Sequence, residues 1–288
     1  MNTKDKKTYP VWLEIKGKPQ EHTLLRLSQA NCTMLGKGLP QDVDGTKTSK
    51  NTVIEAHYEI RPNLDHKKGD SKTKPFRFVD GCKIMFAEIF GEVCETYNRR
   101  QKRKDRKQTV ETYYDKCHER WQKSYDKWSA QPKGPAKDKA YKKIFNYAKT
   151  LEIRIGENAE CCPSKQEMDE FARDYVKWFK ERFPQMVIFM ACVTYDEMES
   201  VSVNGKKEWR GKAPCLHIGF IPIAISENYG MDKRVGWNTC LKQSTGQDTY
   251  AFQLFRQSCL RACAKYAKAN DFLLTYVSSK YGEEDEDE

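Results

Sequence analysis

Two apolar stretches decide the fold of this chain: MVIFMACV at Met186–Val193 and CLHIGFIPI at Cys215–Ile223. The first is too continuously apolar for a strand at the edge of a sheet, which would expose one side to water, so it predicts a buried central strand. The polar loop between the two stretches contains Asn204-Gly205, a pair typical of turns that connect neighbouring strands. We therefore expect the second stretch to pair with the first at the centre of one sheet.

The segments around this central pair predict an α+β fold. Further strands are indicated at His22–Ser28, at Val53–Ile60, where apolar and polar residues alternate, and at Leu151–Ile155. Helices are expected where apolar residues recur every three or four positions, namely at Val79–Tyr97, Val110–Trp128, Asp138–Lys149, Ser164–Phe183 and Gln247–Ala269. The order of these elements favours an antiparallel sheet with helices packed against it.

A basic helical hairpin interrupts this α+β domain. We assign the hairpin to residues 98–149 and the domain to residues 20–97 and 150–275, and residues 283–288 form an acidic tail. Aromatic residues recur along the first helix of the hairpin between Tyr114 and Trp128. Their three- and four-residue spacing predicts a packing seam between helices in preference to a surface that stacks bases.

Composition excludes several classes of protein. Of the 288 residues, 38% are hydrophobic and 12% aromatic, which supplies a sizeable core and excludes wholesale disorder. No run approaches the ~18 apolar residues of a membrane span, and the chain does not open on a secretory segment, so we expect a cytoplasmic protein without membrane contact. Several of the 11 cysteines lie in apolar runs and none forms a Cys-x-x-Cys pair, which predicts free thiols.

The charge of the chain favours a polyanionic partner. Lys and Arg number 51 against 41 Asp and Glu, a net charge of +10 in spite of the acidic tail. Basic side chains are densest in one run, which we expect to contact this partner: Arg99, Arg100, Lys102, Arg103, Lys104, Arg106 and Lys107. Such a run is often only a solvated helix face. Here the rest of the chain before the tail carries the same sign, which favours binding of a polyanion.

Polar residues with catalytic or metal-binding chemistry stand at one end of the two central strands. Thr194-Tyr195-Asp196-Glu197 directly follows the first strand, and Pro214-Cys215-Leu216-His217 leads into the second. Alternation places Cys215 and His217 on the same side of their strand, as a metal-binding pair requires. A lone histidine in a strand is more often a core residue, and both interpretations stay open at this point.

This arrangement resembles the MobV-type mobilisation relaxases, or plasmid recombination enzymes, a branch of the HUH endonucleases. Their motif reads His-x-Asp-Glu-x-x-Pro-His-x-His and is followed by an apolar strand that ends near Val-Pro. The positions that match it are Asp196, Glu197, Pro214, His217 and Pro222. The resemblance implies a relaxase-like sheet with packed helices.

The likeness extends beyond the motif. LLRLSQ from Leu24, HYEI at His57–Ile60, the helix at Arg77–Ala87 and RVGWNTCLK from Arg234 are all similar to stretches of the family. It covers about Leu24 to Phe272, apart from the helical hairpin and the loop Met198–Ala213.

The resemblance implies a DNA-binding protein of a mobile element that acts in plasmid mobilisation. In the family, a divalent ion held by three imidazoles polarises the scissile phosphate for attack by a Tyr or His nucleophile. By this likeness Asp196 and Glu197 are the expected catalytic positions, and His217 is an expected metal ligand. A separate interpretation brings Cys215, His217 and His57 together on neighbouring strands as metal ligands, with Glu197 close. The ion would be Mn²⁺, Mg²⁺ or Zn²⁺, and a thiolate with imidazoles favours Zn²⁺; the alternative is a site that holds no metal.

Three departures from the family bear on activity. Thr194 and Cys215 stand where the family has histidines, and the loop within the motif is much longer. The nucleophile would fall near Gln41 or Asp42, and neither side chain is suited to that chemistry.

We therefore predict a DNA-binding protein that recognises an origin-like sequence or hairpin and in which nicking is weak or lost. One alternative is an active, metal-dependent single-strand DNA nickase with a Cys/His site. Another is a non-enzymatic adaptor whose basic arm binds an acidic protein. Whether the protein is an enzyme stays open at this point.

Overall fold

The computed structural model describes residues 6–17, 51–56, 60–61, 77–78, 81–141, 143–195, 197–203, 206–226 and 230–276. Its strands are β1 (Thr8–Lys16), β2 (Thr52–Ala56), β3 (Ile60–Arg61), β4 (Arg77–Phe78), β5 (Lys149–Ile155), β6 (Met186–Thr194), β7 (Met198–Val203), β8 (Lys206–Gly211), β9 (Cys215–Ile225), β10 (Lys233–Val235) and β11 (Leu273–Tyr276). Its helices are α1 (Gly81–Arg100), α2 (Val110–Ser129), α3 (Pro135–Tyr141), α4 (Lys165–Arg182), α5 (Trp237–Thr245) and α6 (Ala251–Ala269).

A mixed sheet of seven strands lies at the centre of the fold. Its order is β11-β1-β5-β9-β6-β2, and β10 pairs with the end of β9. The predicted pairing of the two apolar stretches is confirmed, because β6 and β9 run antiparallel from Met186 opposite Pro222 to Thr194 opposite Cys215. The expectation of a purely antiparallel sheet is wrong at one pair, since β1 and β11 are parallel.

One face of the sheet, which we call the core face, is covered by α4, α5 and α6. It carries the apolar residues of β5 and β9 that alternate with polar ones, such as Leu151 and Leu216. Helix α4 begins at a capping box in which the Ser164 and Glu167 side chains each bond the other residue's backbone N–H. Its buried aromatic rings reach the sheet, with the rings of Phe179 and Phe220 5.5 Å apart.

The opposite face, which we call the polar face, has two halves. Helices α1 and α2 cover one half through buried aromatic residues such as Phe86 and Tyr114, which pack with Met190 and Ile221 of the sheet. The other half carries charged side chains near the ends of β6 and β9. Because both faces of β6 and β9 are covered, these strands read as unbroken apolar runs in the sequence.

The basic run comprises the last two residues of α1, Arg99 and Arg100, and the connection from α1 to α2, and its side chains are exposed. Thr109 then caps α2 with its side chain. The predicted packing seam is formed within the hairpin, since the centre of the Trp128 ring lies 5.2 Å from that of Tyr125 and 5.6 Å from that of Tyr141 in α3. None of the helices described is long and apolar enough to cross a membrane. Buried free thiols among the described residues include Cys94, Cys117, Cys215, Cys240, Cys259 and Cys263, as predicted.

Several expected elements differ in the structure. Strand β1 was not predicted, although TYPVWLEIK alternates between buried and more exposed residues. The helix expected at Asp138–Lys149 is wrong in its bounds: α3 ends at Tyr141, and Lys149 already begins β5 because Tyr147 and Ala148 are drawn into the apolar cluster under α1 and α2. Helix α5 was not predicted, and the last helix begins at Ala251.

The loop expected at Met198–Ala213 is instead a two-stranded ribbon of β7 and β8. The strand expected at Val53–Ile60 is represented by β2 alone up to Ala56, and Ile60 belongs to the separate β3–β4 pair. The predicted strand at His22–Ser28, positions Gln41 and Asp42, and the acidic tail at 283–288 lie outside the described residues.

Candidate metal centre

Strand β9 brings the candidate residues together because it lies between β5 and β6. Cys215 stands opposite Thr194 of β6 and Arg154 of β5, and His217 stands opposite Glu152 of β5. Directly opposed residues of antiparallel strands share a face of the sheet. The prediction that Cys215 and His217 lie on one side of their strand is therefore confirmed, and that side is the polar face.

His217 is the centre of this group, and its side chain is buried, with 3% of the residue exposed. Its Nε2 atom lies 3.1 Å from Thr194 Oγ1 and 3.0 Å from Glu197 Oε1. Its Nδ1 atom is 3.6 Å from Glu152 Oε1, longer than a hydrogen bond, and has no hydrogen-bond partner in the part of the chain that the structure describes. The Nε2 atom is thus within hydrogen-bond distance of two polar partners, whereas the Nδ1 atom is buried without a hydrogen bond among the described residues.

A cation stands on the outer side of each carboxylate. Lys16 Nζ of β1 lies 2.5 Å from Glu152 Oε2, and Arg154 Nη2 lies 2.7 Å from Glu197 Oε2. Arg154 also donates to the carbonyl oxygen of Ala213 at 2.5 Å. Followed from contact to contact, the group therefore alternates in kind: the cation of Lys16, the carboxylate of Glu152, the imidazole of His217, the carboxylate of Glu197 and the cation of Arg154.

These contacts keep both carboxyl groups ionised at neutral pH. Burial raises the pKa of Glu152, but the positive charges of His217 and Lys16, together with the hydrogen bond from Lys16, outweigh it and lower the pKa to about 2. Burial likewise opposes ionisation of Glu197, yet His217 and Arg154 hold its pKa well below its ordinary value. The carboxylates are thus available as anionic ligands or as partners of a cation.

The imidazole is held in its protonated form when it has only these neighbours. Burial lowers the pKa of His217, but Cys215 and the carboxylates of Glu152 and Glu197 raise it well above its ordinary value. A metal ion bound to the ring would displace that proton, because only the neutral imidazole is a ligand. Proton and metal ion are therefore competing occupants of the same negatively charged group.

The side chains of Glu152, Cys215 and His217 form a group that could hold a metal ion. One ligand atom from each lies within 4.8 Å of the other two, and both Cys215 and His217 are buried. A set of sulfur, nitrogen and oxygen donors is one that Zn²⁺ accepts in proteins, whereas Mg²⁺ and Mn²⁺ prefer oxygen. The buried Nδ1 atom of His217 supports this, because among the described residues it makes no hydrogen bond that a bound ion would have to replace.

The predicted site residues fall into three groups. His217, Cys215 and Glu197 come together, although Glu197 contacts Nε2 of His217 and is not one of the three candidate ligands. His57 and Asp196 lie outside the described residues. In the basic run, Arg100 pairs with Asp232 and Arg103 with Asp105, all four exposed.

Sequence reasoning missed three charged members of the group: Lys16, Glu152 and Arg154. The signal for two of them was present in LEIRI, where Glu152 and Arg154 alternate with apolar residues in a predicted strand. Charged residues on one face of an internal strand need polar partners on the same face. The neighbouring strands then provide those partners.

Chemically, the group has two uses. With an ion bound, it can polarise a phosphate or other anionic oxygen that approaches the polar face. Without one, it is a series of ion pairs that joins β1, β5, β6 and β9.

Comparison of the amino-acid chain with known protein families, curated proteins and solved structures finds no match.

Proposed function

We propose that this protein binds DNA on the polar face of a sheet built like that of an HUH relaxase, that Glu152, Cys215 and His217 hold a zinc ion there, and that nicking activity is weak or lost. The observation that carries the proposal is the convergence of four motif positions on adjacent strands. Thr194 ends β6 and Glu197 lies three residues further on, Cys215 and His217 lie at the start of β9, and all four are in contact or directly opposed. This is the placement that the resemblance implies.

The surroundings of the group favour binding over strand cleavage. Thr194 offers a hydroxyl where the family has a third imidazole, and that hydroxyl already donates to Glu197 Oε1 at 2.8 Å. The charges of the two carboxylates are matched by Lys16 and Arg154. An ion with a thiolate ligand is also a weaker Lewis acid than one held by neutral imidazoles. A phosphate is therefore attracted to this face more effectively than it is activated.

The basic run supplies the rest of the affinity. Its side chains are exposed at the end of α1 and on the connection to α2, and the chain as a whole carries a net charge of +10. Each phosphate that such side chains neutralise releases counterions, which gives DNA binding a steep dependence on salt.

A salt titration tests DNA binding. The affinity for a labelled duplex that carries the sequence flanking the protein's own reading frame should fall log-linearly between ~50 and ~200 mM salt, with a slope of about −0.9 for each phosphate that the protein neutralises. An affinity that does not change over this range would contradict the proposal. That result would favour the alternative, an adaptor in which the basic run binds an acidic protein.

The zinc site has a separate test. Purified protein should contain about one zinc ion per chain, and added Zn²⁺ should raise the melting temperature of the metal-free protein, because an ion that binds only the folded state stabilises it. Cys215→Ser and His217→Ala should remove both effects. Cys161→Ser is the matched control, since Cys161 is an exposed free thiol outside the group. Absence of zinc and of any thermal shift in the wild type would contradict the site.

An active nickase is the second candidate, and the zinc-compatible donor set is the observation in its favour. The wild type and His217→Ala should be incubated with supercoiled DNA that carries the flanking sequence. Our proposal expects little relaxation by either protein. Relaxation by the wild type that His217→Ala abolishes would replace the proposed binder with an enzyme.

A further inference from the structure

A two-stranded ribbon extends from the candidate centre. Strand β7 begins at Met198, directly after Glu197, and β8 ends at Gly211. The backbone N–H of Lys212 donates to the carbonyl oxygen of Glu197 at 2.8 Å, and the N–H of Ala159 donates to the carbonyl oxygen of Gly211 at 3.1 Å. The base of the ribbon is thus fixed beside the residue that contacts His217.

The two sides of the ribbon differ in charge. On one side, Met198 stands opposite Gly211, Ser200 opposite Trp209 and Ser202 opposite Lys207. This side, which we call the tryptophan side, carries no carboxylate, and its side chains are exposed. On the other side, Glu199 stands opposite Arg210 and pairs with it at 2.7 Å, and Val201 stands opposite Glu208. The acids of the ribbon are therefore confined to the side away from the tryptophan.

Trp209 has no packing role that accounts for its position. It is 70% exposed, and Met198 on the same side is 51% exposed. The indole ring is therefore available for contact with a partner outside the chain, and its large flat surface suits stacking. Indole stacks on nucleobases of any sequence, and a lysine on the same side attracts phosphate.

We propose that the tryptophan side binds single-stranded DNA, with an unpaired base stacked on Trp209 and a neighbouring phosphate held by Lys207. Trp209 and Lys207 are two residues apart on one strand, a distance of about 6.6 Å, so one bound nucleotide can reach both. A single strand fits better than a duplex, because the bases of a duplex are already stacked on one another. This proposal rests on the proposed function, and it adds the ribbon as the element that brings a single strand to the polar face.

The test uses the full chain, a labelled 15-nucleotide oligothymidylate and a duplex of equal length. Trp209→Ala should weaken binding of the single strand roughly 5- to 100-fold, the range expected when one base is no longer stacked, and should change duplex binding less than about 2-fold. Trp209→Phe should recover much of the affinity, because a phenyl ring still stacks. Val203→Ala is the matched control: Val203 is exposed on the same ribbon, but it stands opposite Lys206 on the other side.

Fluorescence gives an independent readout. Addition of the single strand should quench the emission of the wild type by more than that of Trp209→Phe, since only the wild type has an indole at the proposed contact. Equal quenching, an equal loss of single-strand and duplex affinity in Trp209→Ala, or tighter binding of a uridine oligonucleotide of the same length would each overturn the ribbon proposal. If the wild type binds neither DNA in a salt-dependent way, the proposed function fails first, and the ribbon proposal fails with it.

Discussion

The two faces of the central sheet differ in whether a buried charged side chain has a partner of opposite charge, and strand β5 contributes charged side chains to both faces. On the polar face, Glu152 and Arg154 lie in a chain of ion pairs. On the core face, Lys149 is 9% exposed and has no carboxylate within 4 Å among the residues that the structure describes. Its ammonium group lies 4.7 Å from the centre of the Trp237 ring, and burial lowers its pKa from 10.5 to about 8.

The comparison shows that the buried charge on the core face destabilises the fold, whereas on the polar face opposite charges offset the cost of burying one another. A buried charge without a counter-ion destabilises the fold, whereas a paired one is close to neutral until a partner is removed. The polar face is therefore sensitive to removal of single partners, and the core face is sensitive to removal of volume. Four substitutions test this contrast, and they are ordered from the largest expected effect on the free energy of unfolding to the smallest.

Phe179→Ala should have the largest effect. The Phe179 ring is fully buried in the core face and lies 5.3 Å from the Phe183 ring and 6.3 Å from the Phe255 ring. Removing it should lower the free energy of unfolding by about 3–5 kcal/mol, measured by urea denaturation. Phe252→Ala, at a site that is 45% exposed, should cost less than about 1 kcal/mol. Equal costs would mean that the core face is not packed as described.

Arg154→Met should have the next largest effect. It leaves the carboxylate of Glu197 half-buried without its guanidinium partner, and we expect the free energy of unfolding to fall by about 2–3 kcal/mol, less than for a fully buried pair because both side chains retain some exposure. Lys123→Met breaks the exposed pair with Glu119 and should cost less than about 0.5 kcal/mol. The two variants can be compared by the same urea titration. If their costs agree, the charges of the polar face are no more coupled than surface charges.

Lys149→Met should stabilise the protein, in contrast to both preceding substitutions. Each pKa unit corresponds to about 1.4 kcal/mol, so replacing this ammonium should raise the free energy of unfolding by about 1–3 kcal/mol at pH 7, once the attraction between the ammonium and the Trp237 ring is subtracted. Urea denaturation of the two proteins measures the difference.

The same substitution predicts a dependence on pH. Below pH 8, Lys149 is protonated in both states, and the cost of burying it is complete. Between pH 8 and about 10.5, the unfolded chain holds more protons at this position than the folded one, so the wild type gains stability with rising pH relative to the variant. The advantage of Lys149→Met should therefore vanish near pH 10.5. An advantage that stays constant would show that Lys149 is not the buried cation that distinguishes the core face.

Replacement of the basic run should change stability least. Its members are exposed, so changing Arg99, Arg100, Lys102, Arg103 and Lys104 to Gln should alter the free energy of unfolding by less than about 1 kcal/mol. The same variant should flatten the salt dependence of DNA binding by about 0.7–0.9 for each phosphate that it no longer neutralises. An unchanged slope in a stably folded variant would mean that the run is only a solvated surface.

The sequence predicts best where one pattern dominates over a long stretch. The pairing of β6 with β9 follows from unbroken apolar runs, and the helix at Ser164 follows from its capping box and apolar spacing. The parallel pairing of β1 with β11 joins segments more than 250 residues apart, and no local pattern encodes strand direction over that distance. The resemblance begins at Leu24, so β1 lies outside the part of the chain that it covers.

The candidate site was predictable in part for the same reason. Cys215 and His217 share a face because a strand alternates, and this requires no knowledge of neighbours. The role of Glu152 depends on which strand lies beside β9, and its partner Lys16 comes from a strand that was not expected. The ribbon was missed because its exposed residues show no apolar alternation, although the Asn204-Gly205 turn was visible.

The bond between Lys212 and the carbonyl oxygen of Glu197 joins the base of the ribbon to the neighbour of His217. If a DNA strand bound at the ribbon and an ion bound at the polar face both favour one position of Glu197, the two binding events are thermodynamically linked. Linkage is reciprocal: the factor by which zinc changes the affinity for the strand equals the factor by which the strand changes the affinity for zinc. Occupancy of the metal centre would then report whether nucleic acid is bound, and the molecule would act as a sensor as well as a binder.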